Sequence, residues 1–152
     1  MKLEHITHFN ELSPSDLYNL LKLRQDVFII EQDCIYEDID RIDLNSEHIL
    51  VYDKPILAAY ARIVPAGHKF DVISIGRVVV HPKMRRKGLG KRLMKQTLDI
   101  LKKRKEDEVK IEAQQYLQKF YRSFGFKNIS DPFDLDGIPH INMSLKFDQC
   151  PG

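Results

Sequence analysis

A short stretch near the middle of the chain combines the residue types that bind a pyrophosphate. A β-branched run ends at Val80, a proline follows, and the basic turn Arg85-Arg86-Lys87 leads through Gly88-Leu89-Gly90 into an amphipathic segment. Glycine lets a backbone approach a ligand closely, and the first turn of a helix has unpaired N–H groups and the positive end of the helix dipole. The stretch therefore predicts a phosphate-binding turn at a helix N-terminus.

The spacing of the glycines narrows the kind of phosphate. The Walker pattern would need Gly-Lys-Ser/Thr, and the dinucleotide fingerprint would need a third glycine where Leu93 stands. What remains, Arg85-x-x-Gly88-x-Gly90, resembles the acetyl-coenzyme A loop of the GNAT acetyltransferases. A basic turn before a helix can also be a solvated surface turn, so the segments on either side decide between the two interpretations.

Length and composition limit the class of protein. With 152 residues the chain suits one core, so we expect a single domain over residues 1–152. Its 24 basic and 22 acidic residues nearly cancel, which argues against bulk binding of a polyanion. No apolar run approaches the ~20 residues that span a bilayer, and no signal-peptide pattern opens the chain. Cys34 and Cys150 form no redox or ligand motif, so we expect free thiols, a cytoplasmic protein and no metal.

Hydrophobic periodicity predicts a mixture of helices and strands. A helix begins at Ser13-Pro14-Ser15-Asp16, which combines a capping serine with proline at the first helical position. The predicted helices cover residues 14–30, 89–104 and a segment around 117–124 that Gly125 ends. The predicted strands cover residues 48–52, 56–64, 72–80, 109–112, 126–129 and 141–147. This order indicates a mixed sheet flanked by helices.

A second motif makes the family resemblance specific. The segment from Phe120 to Phe126 resembles the Phe-Tyr-x-x-x-Gly-Phe ending of GNAT N-acetyltransferases, and the likeness extends over nearly the whole chain. The segments 23–36 and Asp136-Gly137-Ile138-Pro139-His140 are similar to the ElaA-type branch of that superfamily. The resemblance implies an α/β (α+β mixed sheet) chain with the GNAT-like acyl-CoA N-acyltransferase fold. In that fold a central, twisted, mostly antiparallel sheet with a V-shaped splay is flanked by helices.

The resemblance also implies the reaction and the co-substrate. An acetyl group would pass from acetyl-CoA to an amine of an unidentified acceptor by direct attack in a ternary complex. By family analogy the strand of Val78 to Val80 diverges from the strand at 109–112, so the pantetheine amides would pair with its free edge. One N–H, at Val79 or Val80, would then polarise the carbonyl. The residues expected to bind acetyl-CoA are Val78, Val79, Val80, Arg85, Arg86, Lys87, Gly88, Leu89, Gly90, Lys91, Gln114 and Tyr121.

The resemblance places the general acid at Tyr121, four residues before Gly125, where a tyrosine meets the coenzyme sulfur. The alternative is that Tyr121 is simply part of an apolar helix stripe. The general base stays open, because Gly76-Arg77 stands where many GNAT enzymes carry a glutamate. The remaining candidates are Glu31, Glu112, His140 or a relaying water.

Arg62 and Arg77 would lie directly opposite each other if the hairpin between their strands were symmetric about Lys69 and Phe70. Like charges so paired need an anion, so we predict a substrate-binding role in which Glu31 or a substrate carboxylate bridges them. The alternatives are that both point to solvent or that the register differs. A nearby group of acids fails the calcium-loop pattern and is interpreted as a solvated loop, or else as a selectivity patch for cationic amines. This group contains Asp33, Glu37, Asp38, Asp40 and Asp43.

Two other functions stay open. A nucleic-acid-binding module built on the basic turn would bind in a strongly salt-dependent way, but no recognised nucleic-acid motif accompanies the turn. An acyl-CoA-binding regulatory protein without catalysis is the second, because the strand glutamate is absent. We expect acetyl-CoA and an amine acceptor as partners, no nucleic acid or membrane, and a monomer or homodimer.

Overall fold

An eight-stranded sheet organises residues 5–148, the part of the chain that the computed structural model describes. Its strand order is β1-β2-β3-β4-β5-β8-β6, with β7 paired to β8, and every pair is antiparallel except β4 with β5. The strands are β1 His5–His8, β2 Glu47–Asp53, β3 Ile56–Val64, β4 Ser74–Val80, β5 Glu108–Gln114, β6 Lys127–Asn128, β7 Phe133–Leu135 and β8 Ile138–Lys146. The predicted mixed and mostly antiparallel sheet is thereby confirmed.

Strands β4 and β5 part after a single paired position. Ser74 faces Lys110, whose N–H donates to the Ile73 carbonyl at 3.1 Å, and no further pair follows among the described residues. On its other side, β4 stays paired with β3 as far as Val80. The part of β4 from Gly76 onward therefore has a free backbone edge, which is the predicted V-shaped splay.

Three helices cover the sheet. The first, α1 Pro14–Arg24, begins as predicted, because the Ser13 hydroxyl accepts the Asp16 N–H at 3.0 Å. It continues as a π-helix over Gln25–Glu31, a wider form that is frequent at functional sites. The helix predicted over 14–30 is therefore continuous, but it changes from an α-helix to a π-helix after Arg24. The other helices are α2 Leu89–Lys103 and the short α3 Gln118–Arg122, which follows a 3₁₀ turn at Gln115–Leu117.

The two faces of the sheet pack against different helices. Helix α2 contributes Leu93, Met94 and Leu101 to the main core, where they join the inward side chains of β5 and β8. On the opposite face α1 packs Leu20 and Leu23 against Tyr60 and Val79. Because strand side chains alternate, Val109, Ile111 and Ala113 of β5 enter the main core, so Glu112 and Gln114 face the α1 side.

Some elements differ from the sequence-based expectation. The strands β1 and β7, of four and three residues, were not predicted because they are too short to show a periodic pattern. The strand predicted at 126–129 consists of two residues, Lys127–Asn128. Gly125 ends α3 as predicted, with φ = +103°.

Three further expectations concern the chain as a whole. Within residues 5–148 no helix is long and apolar enough to cross a bilayer, and no three His, Cys, Asp or Glu side chains group as metal ligands would. Cys34 is a buried free thiol. Cys150 lies outside the described residues.

Candidate active site

A cavity of about 790 Å³ opens where β4 and β5 separate. Its walls come from the free edge of β4, the facing part of β5, the π-helix, the segment after it, α3 and the β7–β8 turn. The predicted site residues that line it are Glu31, Arg77, Val78, Val79, Val80, Arg85, Gly90, Glu112, Gln114, Tyr121 and His140. Those that lie outside its lining are Arg62, Arg86, Lys87, Gly88, Leu89 and Lys91.

The glycine turn presents backbone N–H groups next to this cavity. Gly88 precedes α2 with φ = +75°, and no side chain of the described residues caps this helix end. The first bond inside the helix runs from the Arg92 N–H to the Gly88 carbonyl at 3.1 Å, so the N–H groups of residues 89–91 have no partner within the helix. The side chain of Leu89 is buried, which leaves only its backbone for a ligand. Arg86, Lys87 and Lys91 are exposed around this end.

Arg85 connects the basic turn to the end of the π-helix. Its guanidinium forms a two-pronged ion pair with Glu31, with Nη1 to Oε2 at 2.7 Å and Nη2 to Oε1 at 2.5 Å. Hydrogen bonding from Arg85 lowers the pKa of Glu31 below its usual value. Glu31 is thus held as a carboxylate at Arg85 and does not bridge Arg62 and Arg77, so one of the two bridges that we expected is wrong.

The predicted register of Arg62 and Arg77 is wrong by one residue. Tyr60 pairs with Val79, but Arg62 pairs with Gly76, because β4 bulges between these positions. Arg77 lies at the bulge with φ = +52°. An anion does bridge the two arginines, and it is Asp40. Its Oδ2 accepts from Arg62 Nη2 at 2.8 Å and from Arg77 Nη2 at 3.2 Å.

This bridge belongs to a buried network of three arginines and three aspartates. Arg24 is fully buried and donates from Nε to Asp38 at 3.0 Å and from Nη1 to Asp43 at 2.7 Å. Arg62 Nη1 donates to the same Asp43 oxygen at 2.9 Å. Burial by itself would raise the pKa of Asp40, but the bonds and charges of Arg62 and Arg77 outweigh it and lower that pKa to about 2.

The network corrects the interpretation of the acidic segment as a solvated loop. Asp38 and Asp43 are buried, whereas Asp33 and Glu37 are exposed as expected. Arg24 had been noted only as part of a family resemblance. The available signal was an arginine within the apolar face of α1, since a buried charge requires an opposite charge nearby.

Polar side chains of β5 and β8 form the floor of the cavity on the α1 side. Gln114 pairs with His140 across these strands, and Glu112 lies two residues away. His140 Nδ1 is 2.7 Å from the Ile138 carbonyl oxygen, which can only accept, so Nδ1 is the donor of this hydrogen bond. Glu112 pairs with Lys69 at 3.0 Å.

Tyr121 lies at the boundary between the main core and the cavity. It is only 6% exposed, and the rings of Phe120 and Phe126 meet it edge-on at 5.1 and 6.0 Å. Burial raises the pKa of its phenol above the usual value, so the phenol keeps its proton at neutral pH. Tyr121 is therefore both a packed aromatic residue and part of the cavity wall.

Comparison with known proteins defines the class. The fold is that of the acyl-CoA N-acyltransferases, since a crystal structure of an acyl-CoA N-acyltransferase from Pseudomonas aeruginosa superposes with a TM-score of 0.85. That protein is 35% identical to this chain, and the match covers 92% of this chain and 97% of the other. The family model of the acetyltransferase (GNAT) domain matches residues 16–147, and the chain belongs to this family.

The likeness to one branch of the family is also shown. Protein ElaA of Escherichia coli (strain K12) is 44% identical over 146 residues, which cover 94% of this chain and 95% of ElaA. The crystal structure of Escherichia coli ElaA superposes with a TM-score of 0.86 at 41% identity, covering 94% of this chain and 99% of that one. The resemblance noted from the sequence, to an ElaA-type GNAT protein, is thereby confirmed.

Proposed function

We propose that this protein transfers an acyl group, with acetyl the first to test, from acyl-coenzyme A to an amine by direct attack. One observation carries the proposal. A free strand edge and an uncapped helix N-terminus stand side by side at a single cavity. A strand edge pairs with the two amides of a pantetheine arm, and a helix N-terminus binds the pyrophosphate at its end.

The donor would be held mostly by backbone groups. The N–H groups at the start of α2 would donate to the pyrophosphate oxygens, with charge supplied by Arg86, Lys87 and Lys91 around them. The free edge over Val78 to Val80 would pair with the pantetheine, while Gln114 lines the facing wall. Space supports this arrangement, because Gly90 lies against Val80 and leaves no bulky side chain between the helix and the strand.

The general base is proposed to be His140. Glu31 is engaged by Arg85, and Glu112 is engaged by Lys69. His140 lines the same cavity, and because its Nδ1 is bonded to the Ile138 carbonyl, Nε2 is the ring nitrogen left to take up a proton. Imidazole is also the side chain that exchanges protons most readily near neutral pH. His140 therefore fits the role better than either carboxylate.

The donor supplies a thioester carbonyl as the electrophile. The amine nitrogen bonds to the carbonyl carbon and gives its proton to His140 Nε2. The carbon–sulfur bond then breaks, and the phenol of Tyr121 protonates the departing sulfur. The backbone N–H of Val80, which faces away from β3, stabilises the negative charge on the carbonyl oxygen. The position of Tyr121 in the cavity wall supports its role.

Binding and turnover test this proposal. Acetyl-CoA, longer acyl-CoA esters and free coenzyme A should each raise the melting temperature, and coenzyme A should be released from acetyl-CoA in the presence of an amine panel. His140→Gln should lower kcat/KM at neutral pH and leave coenzyme A binding unchanged. His68→Gln is the matched control, because His68 is exposed on the β3–β4 connection. The absence of any thermal shift with all the coenzyme A species would overturn the proposal.

A catalytically silent acyl-CoA-binding regulator is the second candidate. The observation that favours it is Arg77, which is engaged in ion pairs at the strand position where a family glutamate was expected. Binding of acetyl-CoA without turnover of any amine would decide for the regulator. The single domain over residues 1–152, the cytoplasmic location and the absence of nucleic-acid binding stay predictions.

A further inference from the structure

Arg77 adopts a backbone conformation that an arginine seldom takes. Its φ of +52° lies in the left-handed region that favours glycine. The glycine that precedes it, Gly76, does not have a positive φ. The bulge that it forms shifts the pairing of β4 with β3 by one residue. It also follows closely on Ser74, the last position at which β4 pairs with β5. An unfavourable conformation persists only where its surroundings hold it in place.

The surroundings hold Arg77 by its side chain. Nε is 2.8 Å from Asp38 Oδ1, Nη2 donates to the Asp38 carbonyl at 3.1 Å, and the same Nη2 reaches Asp40 at 3.2 Å. The guanidinium also lies over the ring of Tyr36, 5.4 Å from its centroid. Asp38 and Asp40 are in turn fixed by Arg24 and Arg62.

These contacts join the bulge to the segment that walls the other side of the cavity. Tyr36, Glu37 and Asp40 of that segment line the cavity together with Arg77. The same segment is tied to the strands across the splay, since Gln114 Nε2 donates to Gln32 Oε1 at 3.1 Å. The His81 N–H donates to the Ala58 carbonyl of β3 at 2.8 Å, and Val79, two residues earlier, pairs with Tyr60 on the same side. The N–H groups after the bulge that face the free edge are therefore those of Val78 and Val80.

We propose that Arg77 is a positioning residue, whose ion pairs with Asp38 and Asp40 hold the β4 bulge so that the N–H groups after it point at the acyl carbonyl. This proposal rests on the proposed acyltransferase function. The cation stabilises no charge on the substrate itself. Its ion pairs hold the free edge of β4 at a fixed distance from the segment that walls the other side of the cavity.

The network allows Arg77 to be removed without leaving a buried charge unpaired. After Arg77→Gly, Asp38 still pairs with Arg24 at 3.0 Å, and Asp40 still pairs with Arg62 at 2.8 Å. Glycine also accepts the positive φ, so the bulge stays allowed while its anchor is lost. Arg77→Lys keeps a cation with one attachment point in place of a fork. Lys105→Gly is the matched control, because Lys105 is an exposed cation with φ = +62° outside the cavity lining.

The test uses two readouts that require no knowledge of the natural acceptor. The first is kcat for the reaction of acetyl-CoA with hydroxylamine, a small nucleophile that attacks without a binding pocket of its own. The second is the carbonyl stretching frequency of bound acetyl-CoA carrying ¹³C at the carbonyl, which reports hydrogen bonding to that oxygen. Folding is followed by the melting temperature, and donor binding by calorimetry.

We expect Arg77→Gly to lower kcat by about 10- to 100-fold, the cost of a small misplacement at a reacting centre. The carbonyl shift should shrink in parallel, the Kd for acetyl-CoA should change less than about threefold, and Arg77→Lys should recover part of both losses. Lys105→Gly should match the wild type. A wild-type carbonyl shift and kcat in Arg77→Gly would overturn the positioning role. Losses in Arg77→Ala but not in Arg77→Gly would also overturn it, because the backbone alone would then set the bulge.

Failure of the proposed function would look different. A wild-type protein that neither binds acetyl-CoA nor accelerates its reaction with hydroxylamine overturns the acyltransferase proposal and this one with it. An active wild type with an equally active Arg77→Gly variant overturns the positioning role alone.

Discussion

Replacing Glu31 with glutamine should tighten the binding of coenzyme A. In the structure both terminal nitrogens of Arg85 donate to Glu31, at 2.7 and 2.5 Å, although Arg85 begins the turn that we assign to the pyrophosphate. The carboxylate and the pyrophosphate therefore compete for one guanidinium. Glu31→Gln keeps the size of the side chain and removes its charge, so Arg85 is released for the donor.

The magnitude follows from the exposure of the pair. The side chains of Arg85 and Glu31 are 40% and 43% exposed, so solvent screens most of their attraction. Exposed ion pairs contribute about 0.2–1 kcal/mol, which corresponds to a change of about 1.4- to 5-fold in Kd. The gain should shrink as salt is raised, because the screening length falls to about 3 Å at 1 M.

Calorimetric titration with coenzyme A at low and high salt measures the effect. The control is Glu47→Gln, because Glu47 forms the same two-pronged pair with Arg104, at 2.7 and 3.0 Å, and lies outside the cavity lining. This control should leave Kd unchanged. The gain should also be smaller in an Arg85→Lys background, since lysine lacks the fork. Equal or weaker binding by Glu31→Gln at low salt refutes the competition argument.

Three further predictions concern other parts of the site. Gly88→Ala should raise the Kd for coenzyme A about tenfold, because a side chain at φ = +75° costs roughly 1–2 kcal/mol and the turn must relax. In contrast, Gly90→Ala should bind coenzyme A normally, since its Cβ would meet Val80 at an ordinary 3.6 Å. Gly67→Ala, at φ = +94°, is the calorimetric control for backbone strain. Equal Kd values for all three variants would contradict the role of Gly88. Tyr121→Phe should lower kcat about 100-fold with coenzyme A binding intact, and an unchanged kcat under chemistry-limited conditions would exclude the acid role. Asp40, whose pKa falls from 3.8 to about 2, stabilises the fold above pH 3.8 and loses that contribution as pH falls through 2, so Asp40→Asn should flatten the fall of the unfolding free energy over this interval. Parallel urea-unfolding profiles for Asp40→Asn and the wild type would argue against that assignment.

Local signals in the sequence predicted the parts of the site that depend on neighbouring residues. The helix start at Ser13, the glycine turn before α2 and the Gly125 end of α3 each follow from a residue type at one backbone position. The apolar spacing of α2 gave the face that packs in the core. Such features need only a few adjacent residues to form, so a short pattern is enough to find them.

The register of the β3–β4 hairpin could not be predicted in this way. A symmetric pairing satisfies alternation on both strands, and a bulge at a non-glycine residue has no sequence signature of its own. The side chain of Arg77 reaches Asp38 and Asp40, which lie 39 and 37 positions away in the chain. Only the fold brings these charges together, and their attraction in turn supports the bulge.

The same reason explains the acidic segment. From the sequence, five acids within eleven residues look solvated, because burying any one of them alone would be unfavourable. In the fold, three arginines meet three aspartates: Arg24 from α1, Arg62 from β3 and Arg77 from β4 with Asp38, Asp40 and Asp43. Opposite charges in equal number make that burial possible.

By itself, the sequence determined the family, the order of the helices and longer strands, and the turn that we assign to the donor, because these depend on short patterns that the backbone obeys locally. The tertiary structure decided which side chains of the cavity are held in ion pairs. It engaged Glu31 with Arg85 and Glu112 with Lys69, and it placed His140 in the cavity wall with Nδ1 bonded to the Ile138 carbonyl. Ion pairs between distant segments depend on where the chain places each side chain in space, and no local pattern contains that information.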